Sequence, residues 1–155
     1  MKTVNQFING KEHISKSERF GDVFNPANGE ITKKVSFANA DDVKLAIDCA
    51  VEAGKKWAAT PPLTRSRVFF RFKDLILRDM DKLALELTSE HGKILSDSAG
   101  SITRGMEVVE FACGIPHLLK GEYSENVGTD IDSWSMRQPL GVSVGISPFN
   151  FPAMV

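Results

Sequence analysis

The stretch Ser147-Pro148-Phe149-Asn150-Phe151-Pro152 sets one amide side chain between two phenylalanines and two of its prolines. It follows "GVSVGI", a short apolar β-rich run of the kind buried on both faces in a parallel sheet. Ligands bind at the C-terminal ends of strands in open α/β sheets, and Pro152 suits the first turn of a following helix. An asparagine at such a place can aim its amide N–H at a developing oxyanion, a task worth about 3–4 kcal/mol of barrier. Asparagine is also an ordinary turn residue. The residue types alone leave both readings of Asn150 open.

Other candidates for chemistry are weaker. His13, His91 and His117 are scattered and have no partner at metal-ligand spacing. His91 precedes Gly92 near a predicted helix C-terminus, where a partly charged imidazole suits the dipole. Cys49 and Cys113 form no C-x-x-C pair and fall inside helical patterns, which predicts core residues rather than thiolates or a disulfide. Gly141 and Gly145 do not make G-x-G-x-x-G, and there is no P-loop pattern. Arg104 lies three residues before Glu107, a spacing that allows a surface ion pair on one helix face.

The elements that must carry these residues are legible in the hydrophobic period. Asn9-Gly10 in "QFINGKEH" is a type I′ hairpin signal. In "FNPANGEITKKVSF" a turn at Pro26 and Asn28-Gly29 leads into alternating Ile31, Lys33, Val35 and Phe37, so an antiparallel layer is expected. At Asn39 the period changes. Asn39 and Asp42 resemble a capping box, and Val43, Ala46, Ile47, Ala50, Gly54 and Trp57 make one stripe over about 40–58.

After "TPPLT" a second helix is predicted over about 64–79, with Val68, Phe69, Phe72, Leu75 and Ile76 inward. A third ends at Gly92, and a fourth spans about Leu95–Gly114 with Ile102, Met106, Val109 and Cys113 on its inner face. Pro116 forces a break, and two extended segments surround Gly128 and Asp130.

Composition narrows the function classes. The 155 residues are 42% hydrophobic and 25% charged, with a net charge of -1, so no nucleic-acid footprint or polybasic membrane patch is expected. A chain of this size buries roughly 70% of its unfolded surface. No apolar run approaches the ~18 residues of a membrane span. "MKTVNQFINGKEHIS" lacks the apolar core of a signal peptide, and a cytoplasmic location is the expectation.

The closing segment also carries a resemblance. "QPLGVSVGISPFNFP" is similar to the P-x-G-V-x-x-x-I-x-P-W-N-[FY]-P segment of the aldehyde dehydrogenase family. Phe149 stands where most members have Trp, a form typical of the CoA-acylating methylmalonate-semialdehyde dehydrogenases. "INGKE", "FNPANGEI", "AIDCAVEAGKKWAATPPLTRSRVFFRFKDLI" and "SEHGKILSDSAGSITRGMEVVEFACG" fit the same subfamily in order. The resemblance covers nearly the whole chain.

It implies an α/β fold: the N-terminal part of the aldehyde dehydrogenase architecture. Residues 1–120 would begin the nucleotide-binding domain, 121–139 would be a protruding oligomerisation hairpin, and 140–155 the first strand and turn of a Rossmann-like parallel sheet. By position, Asn150 matches the oxyanion-hole amide, Ser147 and Phe149 match residues lining NAD, and Arg104 matches an arginine that holds the substrate carboxylate. A guanidinium fork suits that carboxylate.

The family's catalytic cysteine and general-base glutamate have no counterpart here, and neither Cys49 nor Cys113 fits the nucleophile motif. The implied whole is an NAD-dependent, homo-oligomeric (dimeric or tetrameric) dehydrogenase that passes an acyl group to CoA, of which this portion alone is expected to be inert. Another aldehyde dehydrogenase subfamily, or a non-catalytic oligomerisation module, are the competing readings.

Overall fold

The computed structural model describes residues 2–155. Its first elements are short strands. β2 (Gln6–Ile8) and β3 (Lys11–His13) pair antiparallel around Asn9-Gly10, whose φ values of 53° and 76° are those of a type I′ turn. β4 (Phe20–Phe24) and β5 (Ile31–Ser36) form the expected antiparallel pair, closed by a turn in which Asn25 accepts from the amide of Ala27. The layer is not purely antiparallel, however. β1 (Lys2–Val4) pairs parallel with the free edge of β5, giving the order β1-β5-β4. Three residues carry no periodic signal, so this strand was not legible.

Four long helices follow. α1 (Ala40–Ala59) opens with a complete capping box: Asn39 accepts from the Asp42 amide, and the Asp42 carboxylate accepts from the Asn39 amide. α2 (Pro62–Arg78) begins two residues earlier than the sequence pattern predicts, because Pro62 itself occupies the first turn. α3 (Met80–His91) stops at Gly92, which is left-handed (φ 82°) and donates its N–H to Thr88 O at 2.8 Å. α4 (Leu95–Cys113) leads into the single turn α5 (Ile115–Leu118) around Pro116.

The core sits among α2, α3 and α4. Ala84, Leu87 and Ile102 are buried, with Ile76, Met80 and Ala99 packed against them. Ser98 and Ser101 on α4 are wholly enclosed, and Ser98 Oγ lies 2.8 Å from Thr88 Oγ1. Small side chains here let α3 and α4 approach closely. Ser66 of α2 donates its hydroxyl to the carbonyl of Cys113, fastening α2 to the end of α4.

Several expectations need correction. The inward faces predicted for α1 and α2 are only partly covered: Val43, Ile47, Val68, Phe72 and Leu75 remain exposed, and Cys49 is half-buried rather than core. Cys113 is buried as expected. The run 141–146 is not a strand. Val144 is 84% and Ile146 93% exposed, and no described segment pairs with it. A strand exists only as part of a ladder, so an apolar run without a hydrogen-bonded neighbour stays an unpaired segment.

The extended segments around Gly128 are a real hairpin, β6 (Tyr123–Gly128) and β7 (Ile131–Trp134), exposed along its whole length. Asp132 steadies it by accepting from the Tyr123 hydroxyl and the Asn126 amide. Among the described residues no helix is long and apolar enough to cross a membrane.

Candidate functional site

Residues 147–155 do not hang free. Phe151 O accepts from the amide of Val155 at 3.3 Å, which makes one helical turn beginning at Pro152, where the first turn of a helix was expected. That turn rests on α4. A Cβ built on Gly105 would lie 3.2 Å from Met154 Cα and 3.3 Å from the carbonyl oxygens of Ala153 and Met154. Glycine in a helix interior costs about 1 kcal/mol relative to alanine. Here its missing side chain provides the space for the backbone contact.

A second anchor comes from Lys93, just before α4. Its Nζ stands 4.9 Å from the centre of the Phe151 ring, a cation–π contact. An apolar cavity of about 440 Å³ adjoins the seam, lined by Ile76, Ile102, Met106 and Val109 and closed on one side by Ala153–Val155.

The four predicted site residues divide around this seam. Arg104 immediately precedes Gly105, about 100° away around the helix. It is exposed and forms no ion pair among the described residues, so the pairing with Glu107 that the spacing allows is not made. Asn150 immediately precedes the turn that Gly105 receives, and it too is exposed. The fold therefore sets the segment of Asn150 against the helix of Arg104. Ser147 and Phe149 lie farther back, on the unpaired stretch, with Phe149 90% exposed.

One polar cluster elsewhere contains Ser, His and Asp, and its geometry decides its role. Asp42 accepts from Ser15 Oγ, from the Asn39 amide, and from His13 Nε2 at 2.8 Å. Both the serine and the histidine thus address the carboxylate, not each other, so no base activates the hydroxyl. The hydrogen bond from Ser15, then that from the Asn39 amide, then that from His13 hold the Asp42 carboxyl down to about 2. This is a fastening between β3 and α1. Cys113 is buried with its thiol directed to Val109 O at 3.4 Å, which suits packing and not nucleophilic attack. Among the described residues no group of acidic, histidine or cysteine side chains could hold a metal ion.

The sequence profile of the aldehyde dehydrogenase family matches residues 13–155. The chain belongs to that family. Among curated aldehyde dehydrogenases it is 48% identical to malonate-semialdehyde dehydrogenase of Pseudomonas aeruginosa, over all of this chain and 31% of that protein. It is likewise 48% identical to the mitochondrial acylating methylmalonate-semialdehyde dehydrogenase of Arabidopsis thaliana, over 98% of this chain and 25% of that one.

Among solved aldehyde dehydrogenase folds, methylmalonate-semialdehyde dehydrogenase of Oceanimonas doudoroffii superposes with a TM-score of 0.96 at 50% identity, covering 100% of this chain and 32% of that one. A Sinorhizobium meliloti protein assigned the same activity, and solved with NAD, superposes with a TM-score of 0.97 at 47% identity, over 99% and 31%. The chain thus spans a quarter to a third of the length of these relatives, and its fold is a partial aldehyde dehydrogenase fold corresponding to their N-terminal portion.

Gly105 and Lys93 were not singled out from the sequence. A glycine in the middle of "TRGMEV" was the available signal, since a helix interior disfavours it. Lys93 gave none.

Proposed function

We propose that this chain forms the N-terminal part of an NAD-dependent, CoA-acylating dehydrogenase for malonate- or methylmalonate-type semialdehydes. The observation that supports it most directly is the seam at Gly105, which sets the Asn150 segment against the Arg104 helix in a chain 48% identical to such enzymes. Arg104 carries an exposed guanidinium, without an ion-pair partner among the described residues, suited to bidentate binding of the substrate carboxylate. The Asn150 amide N–H donates to the oxygen that gains charge when a cysteine thiolate adds to the aldehyde carbon. That cysteine would come from outside these residues. That adduct would become a thioester by losing hydride to NAD; the acyl group would pass to CoA with release of the cysteine, and the carbon that loses CO₂ would take up a proton.

The backbone at Ser147 and the exposed ring of Phe149 fit one wall of a dinucleotide site, because the ring face and the unpaired backbone are both open. NAD bound there would accept the electron pair lost by the substrate. The exposed β6–β7 hairpin would pair between subunits of a homo-oligomer, and the site of action would be the cytoplasm.

A hybrid enzyme tests this reading, with residues 1–155 replacing the matching third of the Pseudomonas relative. Arg104→Ala is expected to erase the preference for carboxylated over simple aldehydes. Asn150→Ala should lower kcat by about 10²–10³-fold. An unchanged preference in the Arg104 variant would remove its assigned role and return the choice to another aldehyde dehydrogenase subfamily.

A further inference from the structure

We propose that Gly105 is a positioning residue: its missing side chain sets how deeply the Phe151–Val155 turn seats on α4, and thereby the separation between Arg104 and Asn150. The inference rests on the functional reading above and adds to it the element that spaces the two proposed substrate grips. Three observations converge. At Gly105 the nearest atoms of the turn are backbone ones, Met154 Cα and the carbonyls of Ala153 and Met154, which cannot swing aside as a side-chain tip could. Arg104 and Asn150 are each bonded directly to a part of this seam, one on the helix and one on the turn. Lys93 holds the same turn from a second point, at Phe151, so the turn has a defined seat to lose.

The contact is graded. A methyl at Gly105 would press the turn by a few tenths of an ångström, whereas a valine would have to lift it. A donor displaced by about 1 Å can cost a catalysed step about 10²-fold. A semialdehyde gripped at its carboxylate and its carbonyl samples that displacement directly, because both ends are fixed by the protein. Gly100, five residues earlier on α4, offers the internal comparison: a Cβ there meets nothing within 4 Å.

The test has two arms. In the 155-residue chain itself, the Phe151 ring should shift the Lys93 methylene protons beside Nζ upfield in NMR. Gly105→Val is expected to diminish that shift, Gly105→Ala to diminish it less, and Gly100→Ala to leave it intact. In the hybrid enzyme, Gly105→Val should lower kcat about 10²-fold, more than it changes KM. The same substitution in an Asn150→Ala background should add less than about 3-fold, since the group it misplaces is already gone.

An unaltered Lys93 shift in Gly105→Val, or losses that simply multiply in the double variant, would overturn the inference. Gly105→Ala improves helix propensity, so a failure of the valine variant to fold would not block either arm. An inactive hybrid with native Gly105 would instead remove the dehydrogenase reading, while the Lys93 shift still decides whether Gly105 seats the turn.

Discussion

His13 Nε2 lies 2.8 Å from Asp42 Oδ1, and this contact ties the first hairpin to the first helix. Asp42 thereby does two jobs at once. It completes the capping box of α1 and receives His13 from β3 and Ser15 from the segment after it.

This arrangement fixes a pH dependence. The Asp42 carboxyl titrates near 2 when folded, below its ordinary value, so its stabilising contribution is complete above the unfolded range and is lost as pH falls through about 2. Thermal melts of the native chain and Asp42→Asn are expected to differ at pH 5 and to converge as pH approaches 2. A gap independent of pH would show that the carboxylate charge is not what holds the hairpin.

The cap can be weighed separately. Asn39→Ala removes the side-chain acceptor for the Asp42 amide and should destabilise by about 0.5–2 kcal/mol in urea titration. Asn39→Gly should cost only a few tenths relative to the native residue, on the order of a weak surface contact.

Leu87 offers the contrast of a core truncation. It is buried between α3 and α4 with Ala84 and Ile102, and Leu87→Ala should cost about 2–5 kcal/mol. Its urea midpoint is therefore expected to fall further than that of Asn39→Ala. The reverse order would mean that the three-helix cluster is not the main source of stability.

The stretch 140–149 presents Leu140, Val144, Ile146 and Phe149 to solvent together with unpaired backbone groups. Self-association is the expected behaviour. Sedimentation velocity should show concentration-dependent oligomers for the native chain and fewer for Val144→Lys with Ile146→Lys. A native chain that stays monomeric across the same range would contradict it.

Much of this molecule could be read from residue order because its signals are local. The Asn9-Gly10 turn, the Asn39–Asp42 box and the Gly92 stop each depend on neighbours within a few residues, and each stands where the pattern placed it. The inner stripe of α4 also held, with Ile102 and Cys113 buried. What failed was non-local. Whether 141–146 becomes a strand depends on a partner, and whether α1 buries Val43 and Ile47 depends on what covers them. At the site, Asn150 and Arg104 stand out by type and resemblance, but the close approach at Gly105 that relates them joins residues about a third of the chain apart, across the hairpin, and leaves no periodic trace.

The Ala84–Leu87–Ile102 cluster has a kinetic meaning as well. Its members lie close along the chain, so the loops that must close to form it are short and their entropy cost is small. Helical packing of this kind assembles on the microsecond-to-millisecond scale. The platform that carries Gly105 can thus be finished while the stretch 140–149 is still unpaired, and the Asn150 turn arrives at a surface already built to receive it.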